Sequence, residues 1–202
     1  MKDSIERILG ESGLIEHGII TWAWGKTSDG KITGVLPEYL DVIHGQKKFD
    51  FILVEADGSK QKPLKAPAVY EPVIPKRTSI VLGLMGIDAM GKPLDGKNVH
   101  RPENIEDITG RPIGSVIDVE IMAQIALHDQ GLFKNSGKAT TKILVLNKVD
   151  NDAAISAALT LARTVKERVE SEGAYVRRYG RINRVILTSI KKKNPVIYIL
   201  DI

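Results

Sequence analysis

The chain has 202 residues, 43% of them hydrophobic and 27% charged, with a formal net charge of +4. That composition excludes global disorder and fits a single domain able to bury its own core. It contains no cysteine, which excludes a disulfide scaffold, a thiolate metal site and a cysteine nucleophile, and its four histidines are too scattered for a His-rich metal cage.

No apolar run approaches the roughly 18 residues a membrane helix needs. The opening segment mixes charge with apolar residues and has no signal-peptide core. The chain therefore reads as cytoplasmic, with no membrane partner. A mild positive charge favours anionic partners without naming one.

In chain order, Ile5, Ile8 and Leu9 predict a helix over residues 3–12. Residues 18–24 read as a strand whose Trp22 and Trp24 share a face and pack in a core or interface. Gly30 is placed to close a hairpin. Pro37 opens a helix over 37–44, and residues 50–55 are a short apolar run expected of a strand buried on both faces. Residues 57–78 form a Pro/Lys-rich insertion. Pro63, Pro67, Pro72 and Pro75 exclude a helix or a central strand there.

Residues 79–85 return to strand, and a brief helix is predicted over 102–109. A helix over 118–130 has Asp118 as N-cap, and 142–147 is a buried strand. The longest helix, 152–171, places Ile155, Leu159, Ala162, Val165 and Val169 on one face. Residues 184–189 and 195–200 close with two strands. Buried strands alternating with helices predict one α/β domain over 1–202, a three-layer, mostly parallel sheet. Ligands in such sheets sit at the carboxyl ends of the strands.

Glu55 and Asp57 leave the strand at 50–55 into a Gly-containing turn. A nucleotide-hydrolysing α/β protein places its magnesium- or water-contacting acid there. Either residue fits the role, with Asp57 the metal candidate; a plain acidic turn is the alternative. Asn147, Lys148 and Asp150 form an Asn-Lys-x-Asp tetrad between a buried strand and a long helix. An Asp so placed accepts hydrogen bonds from the guanine ring N–H and amino group, which adenine does not supply. Thr188-Ser189-Ile190-Lys191 follows the next strand, where a backbone N–H would meet the base oxygen. The order of acid loop, tetrad, long helix and Ser loop makes these signals cohere.

A phosphate-cradling loop needs Gly-x4-Gly-Lys-Ser/Thr between a strand and a helix. Gly86 to Lys92 has that spacing, but Pro93 stands in place of the hydroxyl residue and no helix follows. Gly25-Lys26-Thr27 has the ending, but Ile20 stands where the first glycine belongs. The expected fold is thus P-loop-NTPase-like without a visible phosphate loop.

A set of segments then stands out: Glu55 to Lys60, Pro63 to Pro67, Glu71 to Pro75, Gly86-Ile87-Asp88, and Val99 to Glu103. Together they resemble the YqeC family, from about Gly30 to Asp150. The resemblance implies an accessory factor for selenium-dependent molybdenum hydroxylases. It also implies an opening strand, a Gly-Gly-Lys-Thr-Thr loop and a helix, after which Met1 of this sequence is expected to fall.

Lys60, Lys62, Lys65, Lys76 and Arg77 cluster on the Pro-stiffened segment. Held at low entropic cost, Lys60 and Lys65 are candidates to bind a nucleotide phosphate, a molybdopterin phosphate or a selenium oxyanion. His100 and Arg101 are candidates for an anion clamp. The leading reading is a protein binding GTP (or ATP) with Mg2+, or a molybdenum-cofactor species. Its hydrolysis would depend on a partner chain bearing the phosphate loop. The alternative is a non-catalytic module binding a client metalloenzyme or its cofactor. Nucleic-acid binding ranks last, with aromatics at 5% and no recognisable motif. Open strand edges left by a missing first strand favour homo-oligomers.

Overall fold

The structure, a computed structural model, describes residues 10, 18–138, 140–171 and 182–202. The helix predicted over 3–12 lies, but for Gly10, outside them. The chain divides into two compact units, Met1–Glu55 with Ile74–Arg77, and Ala56–Val73 with Thr78–Ile202.

In the smaller unit, β1 (Gly25–Lys26) and β2 (Ile32–Thr33) form an antiparallel hairpin. Gly30 closes it at φ 83°, a left-handed angle that glycine adopts without a Cβ clash. Its N–H donates to the Thr27 carbonyl at 2.9 Å. Helix α1 (Pro37–Gly45) starts on its proline as expected. Trp24 stacks on Tyr39 of α1, with ring centroids 5.2 Å apart and planes 8° from parallel.

Two strand predictions in this unit are corrected. Residues 18–24 form no strand, and residues 50–55 are unpaired. Phe51 is 86% exposed and Leu53 91%. A β-strand is defined by its ladder. Among the described residues no strand pairs with 50–55, and 18–24 meets one only at its end, where the Trp24 N–H donates to the Thr33 carbonyl at 3.1 Å, so high β propensity alone leaves both outside any ladder.

The larger unit holds β3 (Leu64–Lys65), β4 (Ile80–Gly86), β5 (Val99–His100), α2 (Pro102–Thr109) and α3 (Val119–Leu127). It continues with β6 (Thr141–Asn147), α4 (Asp152–Ser171), β7 (Ile182–Thr188) and β8 (Val196–Asp201). The main sheet runs β4-β6-β7-β8. Its first three strands are parallel and β8 is antiparallel to β7. This is a mixed α/β fold.

Helix α3 is capped as the sequence predicts. The Asp118 carboxylate accepts the Ile121 N–H at 2.9 Å, satisfying a donor that the first helical turn leaves unpaired. The helix ends at Leu127, three residues earlier than expected. On α4 the buried face is Ala158, Leu161, Ala162, Val165 and Val169, with Ile155 and Leu159 at its margin. These join Met85, Leu144, Leu146, Val185 and Leu187 of the sheet in one core. Each fully buried Leu or Val there contributes about 1.5–3 kcal/mol.

The expected third layer is not formed among the described residues. Burial alternates along β6, with Leu144 and Leu146 inside, whereas Ile80, Leu82 and Leu84 of β4 are exposed on the opposite face. Helices thus cover one face of the main sheet.

The proline-rich segment belongs to this unit up to Val73, and Ile74–Arg77 belong to the smaller one. Prolines offer no N–H to a ladder, and several of the segment's carbonyls are met by side chains. Asn104 donates to the Pro67 carbonyl at 2.9 Å, Lys134 to those of Ala68 and Val69, and Asn135 to that of Pro72 at 3.1 Å. Leu64 and Val99 pair in the short parallel β3-β5 ladder and are both buried.

Candidate functional site

A cavity of about 740 Å3 opens at the carboxyl ends of β4 and β6. That size suits a small organic ligand. Its apolar wall is built by Ile87, Met90, Ala153, Ala154, Ala157 and Ile190, and its polar rim by Asp88, Asn147, Lys148, Asp150 and Lys191.

The rim is fixed by a chain of local bonds. Lys148 takes a left-handed φ of 64°, turning the chain sharply out of β6. Asn147 Oδ1 stabilises that turn, accepting the Lys148 N–H at 2.8 Å and the Thr188 hydroxyl at 3.2 Å. The Val149 N–H donates to the Thr188 carbonyl at 3.0 Å, tying this loop to the end of β7. Asn151 then starts α4, its Oδ1 accepting the Ala154 N–H at 2.9 Å.

Asp150 is held from both sides. The buried Ser189 hydroxyl donates to Oδ1 at 2.6 Å, and the Lys191 ammonium lies 2.7 Å from Oδ2. Bonds from Lys191 and then Ser189 hold the Asp150 carboxyl below its ordinary range. Lys191 is 77% exposed on its side chain, so a ligand can displace it from the carboxylate. The Lys148 ammonium is drawn the other way, to Asp88 Oδ2 at 3.1 Å. The sequence reading of this loop named Asn147, Lys148, Asp150 and Ser189, and the structure brings all four together. It did not include Asp88 or Lys191 as site residues. Asp88 carried a signal in its place two residues after the end of a strand.

The loop from Gly86 to Pro93 wraps a single 3-10 turn (Ile87–Ala89) and enters no helix. It lends the cavity a wall.

A second cluster gathers Asp57, Lys65, Arg101 and Glu71. Lys65 is almost fully buried, and its ammonium meets the Gly58 carbonyl at 2.7 Å, Asp57 Oδ2 at 3.0 Å and Glu71 Oε2 at 2.6 Å. Those are as many acceptors as an ammonium has protons. Arg101 forks onto Glu71, at 2.6 Å to Oε2 and 3.3 Å to Oε1. Burial alone would raise the Glu71 carboxyl, but bonds from Arg101 and Lys65 outweigh it and bring the pKa down to about 2. His100 stays neutral more readily than usual, through burial and then the charges of Arg101, Lys60 and Lys65.

An external anion at Lys65 or Arg101 must therefore displace a carboxylate that already holds it. Lys60 is exposed beside them. Glu55 is exposed in the smaller unit. Among the described residues no three His, Asp or Glu side chains converge to hold a metal. With an ammonium on its carboxylate, Asp57 does not by itself fit Mg2+.

Residues 6–103 match the family model described as YqeC protein. Over that region the chain is similar to the YqeC family. It is also 36% identical over 123 residues to an Escherichia coli K12 protein whose name is "Uncharacterized protein YqeC". That match covers 61% of this chain and 48% of the relative, so it spans about half the relative's length. No solved structure matches. No helix among the described residues is long and apolar enough to cross a membrane. The tetrad and the Ser loop, from Asn147 onward, lie beyond the family-matched residues.

Proposed function

We propose that this chain binds a guanine nucleotide at the β6–β7 end of its sheet and serves the maturation of a selenium-dependent molybdenum hydroxylase. The observation that carries the binding reading is the Asp150 carboxylate, fixed by Ser189 at the rim of an apolar-walled cavity. A carboxylate is an acceptor only. It pairs with the ring N–H and exocyclic amino group of guanine and opposes the unprotonated ring nitrogen that adenine presents there. Asn147 braces the loop. The methylene stem of Lys148 offers a face for the base while Asp88 holds its ammonium aside. The maturation role rests on the family resemblance alone.

A pterin carries the same amide N–H and amino edge as guanine. The same carboxylate therefore suits the pterin of a molybdenum cofactor. Turnover is a separate matter. Asp57 is engaged by Lys65, so no hydrolytic step is assigned to it, and a phosphate loop would come from a partner chain. That pairing favours the second reading, a binding and assembly module without turnover, whose partner is the client metalloenzyme.

The test is an equilibrium titration of fluorescent GTP and ATP, with and without Mg2+, on this chain and on Asp150→Ala. A pterin serves as competitor. Guanine-selective binding that Asp150→Ala abolishes is the expected result. Equal binding of GTP and ATP, or an unchanged Asp150→Ala, overturns the reading.

A further inference from the structure

We propose that the ligand of the Asp150 cavity carries a phosphate ester, held by the ammonium groups of Lys92 and Lys148. This deepens the base-binding reading and rests on it. With the amide N–H and amino edge of a guanine or pterin on Asp150, the rest of the ligand leaves from the far end of the ring system. The Lys148 stem runs from the tetrad loop to Asp88 Oδ2, where its ammonium lies at 3.1 Å. The Lys92 ammonium meets the same oxygen at 3.6 Å. Two cations thus converge on one carboxylate oxygen of a residue that lines the cavity.

All three groups are fixed. Asp88 Oδ1 is buried close over Gly86, where an added Cβ would lie 2.6 Å from it, and has no hydrogen-bond partner among the described residues. Oδ2 is therefore the oxygen that serves both lysines. Lys92 is held through its backbone. Its N–H donates to the Ala89 carbonyl at 3.1 Å, and its carbonyl accepts the Ile117 N–H at 2.9 Å. The Gly91 N–H donates to the Ile117 carbonyl at 2.8 Å and closes the link. Lys148 leaves its left-handed turn braced by Asn147. Both ammoniums thus need little ordering when an anion arrives. Each has three protons, so donors remain beyond the one aimed at Oδ2.

Charge decides what binds there. Lys92, Lys148 and Lys191 stand against the carboxylates of Asp88 and Asp150, three cations to two anions. A neutral ligand leaves that surplus uncompensated, and a phosphate ester cancels it. The second cluster is the contrast. There Lys65 and Arg101 meet Asp57 and Glu71 in equal number. The anion expected at Lys60 and Lys65 is therefore better placed at Lys92 and Lys148.

No backbone cradle is involved. Pro93 and the single 3-10 turn deny the Gly86 to Lys92 loop the helix such a cradle needs, and Lys92 acts through its side chain instead. A phosphate ester is common to a guanine nucleotide and a molybdopterin phosphate, as is the ring edge that suits Asp150.

The experiment is calorimetric titration of this chain with three pairs, each with and without its phosphate: guanosine and GMP, adenosine and AMP, hydroxymethylpterin and its phosphate ester. Lys92→Gln and Lys92→Arg run alongside. The Lys92 side chain is half-exposed, so both variants keep the core, and circular dichroism checks their fold. GMP is expected to bind about tenfold more tightly than guanosine at low salt. Lys92→Gln should cut that gain to about threefold or less, Lys92→Arg should keep it, and guanosine affinity should not move. A larger gain in the pterin pair supports the same site and names a phosphorylated pterin as its source. Equal affinity within every pair overturns the proposal. So does a gain that Lys92→Gln leaves intact, or a Lys92→Gln that weakens guanosine and GMP by the same factor. The adenine pair keeps the two readings apart. A phosphate gain shared equally by AMP and GMP, without guanine preference, overturns the role of Asp150 and leaves the phosphate site standing. Guanine preference without a phosphate gain does the reverse. No binding in any pair at millimolar concentration overturns both.

Discussion

The Ser189 hydroxyl donates to Asp150 Oδ1 at 2.6 Å, joining two loops 39 residues apart. Ser189 is buried and Asp150 stands at the cavity rim, so the bond aims the carboxylate from behind. Ser189→Ala is expected to weaken guanine-nucleotide binding about tenfold and to narrow the preference over ATP. Titration of both nucleotides checks this, since a merely structural loss would weaken the two equally.

Lys191 occupies the other oxygen of Asp150 in the free protein. A base must take its place. Lys191→Met should therefore raise guanine-nucleotide affinity about two- to fivefold at low salt, with the gain shrinking as salt screens the pair. Weaker binding in the variant would show that Lys191 contacts the ligand itself.

Gly86 is required by close approach. A Cβ there would lie 2.6 Å from Asp88 Oδ1 and 2.8 Å from the Pro63 Cβ. Gly86→Ala is expected to cost about 1–3 kcal/mol in urea denaturation. By moving Asp88 it should also release the Lys148 ammonium and weaken ligand binding.

Glu71 makes an acid-sensitive brace. Its pKa falls from 4.5 to about 2 on folding, through Arg101 and Lys65 acting against burial. A carboxyl depressed in the folded state adds stability above its unfolded pKa. That stability is lost as pH drops from about 4.5 through 2. The contribution at neutral pH is on the order of 3 kcal/mol. Glu71→Gln should flatten the stability profile over that window and lower Tm at pH 7. An unchanged pH profile would remove the brace.

Much of the larger unit could be read before its coordinates. Hydrophobic runs marked β4, β6, β7 and β8, and the 3.6-residue period marked α4, because burial on a sheet or helix face leaves a local imprint. Capping by Asp118 was equally local. Residues 18–24 and 50–55 failed for the complementary reason. Their composition suits a strand, but a ladder depends on a neighbour far away in sequence, which local patterning cannot supply.

The site divides in the same way. By itself the sequence determined which residue types follow each strand, so Asn147, Lys148, Asp150 and Ser189 were legible from order and spacing. Only the tertiary structure decided the pairings. It drew Lys148 to Asp88, set Lys191 on Asp150, and enclosed Lys65 between Asp57 and Glu71. A lysine reads the same in sequence whether it faces solvent or a carboxylate. Its charge becomes available or neutralised only when the fold brings the counter-ion within reach.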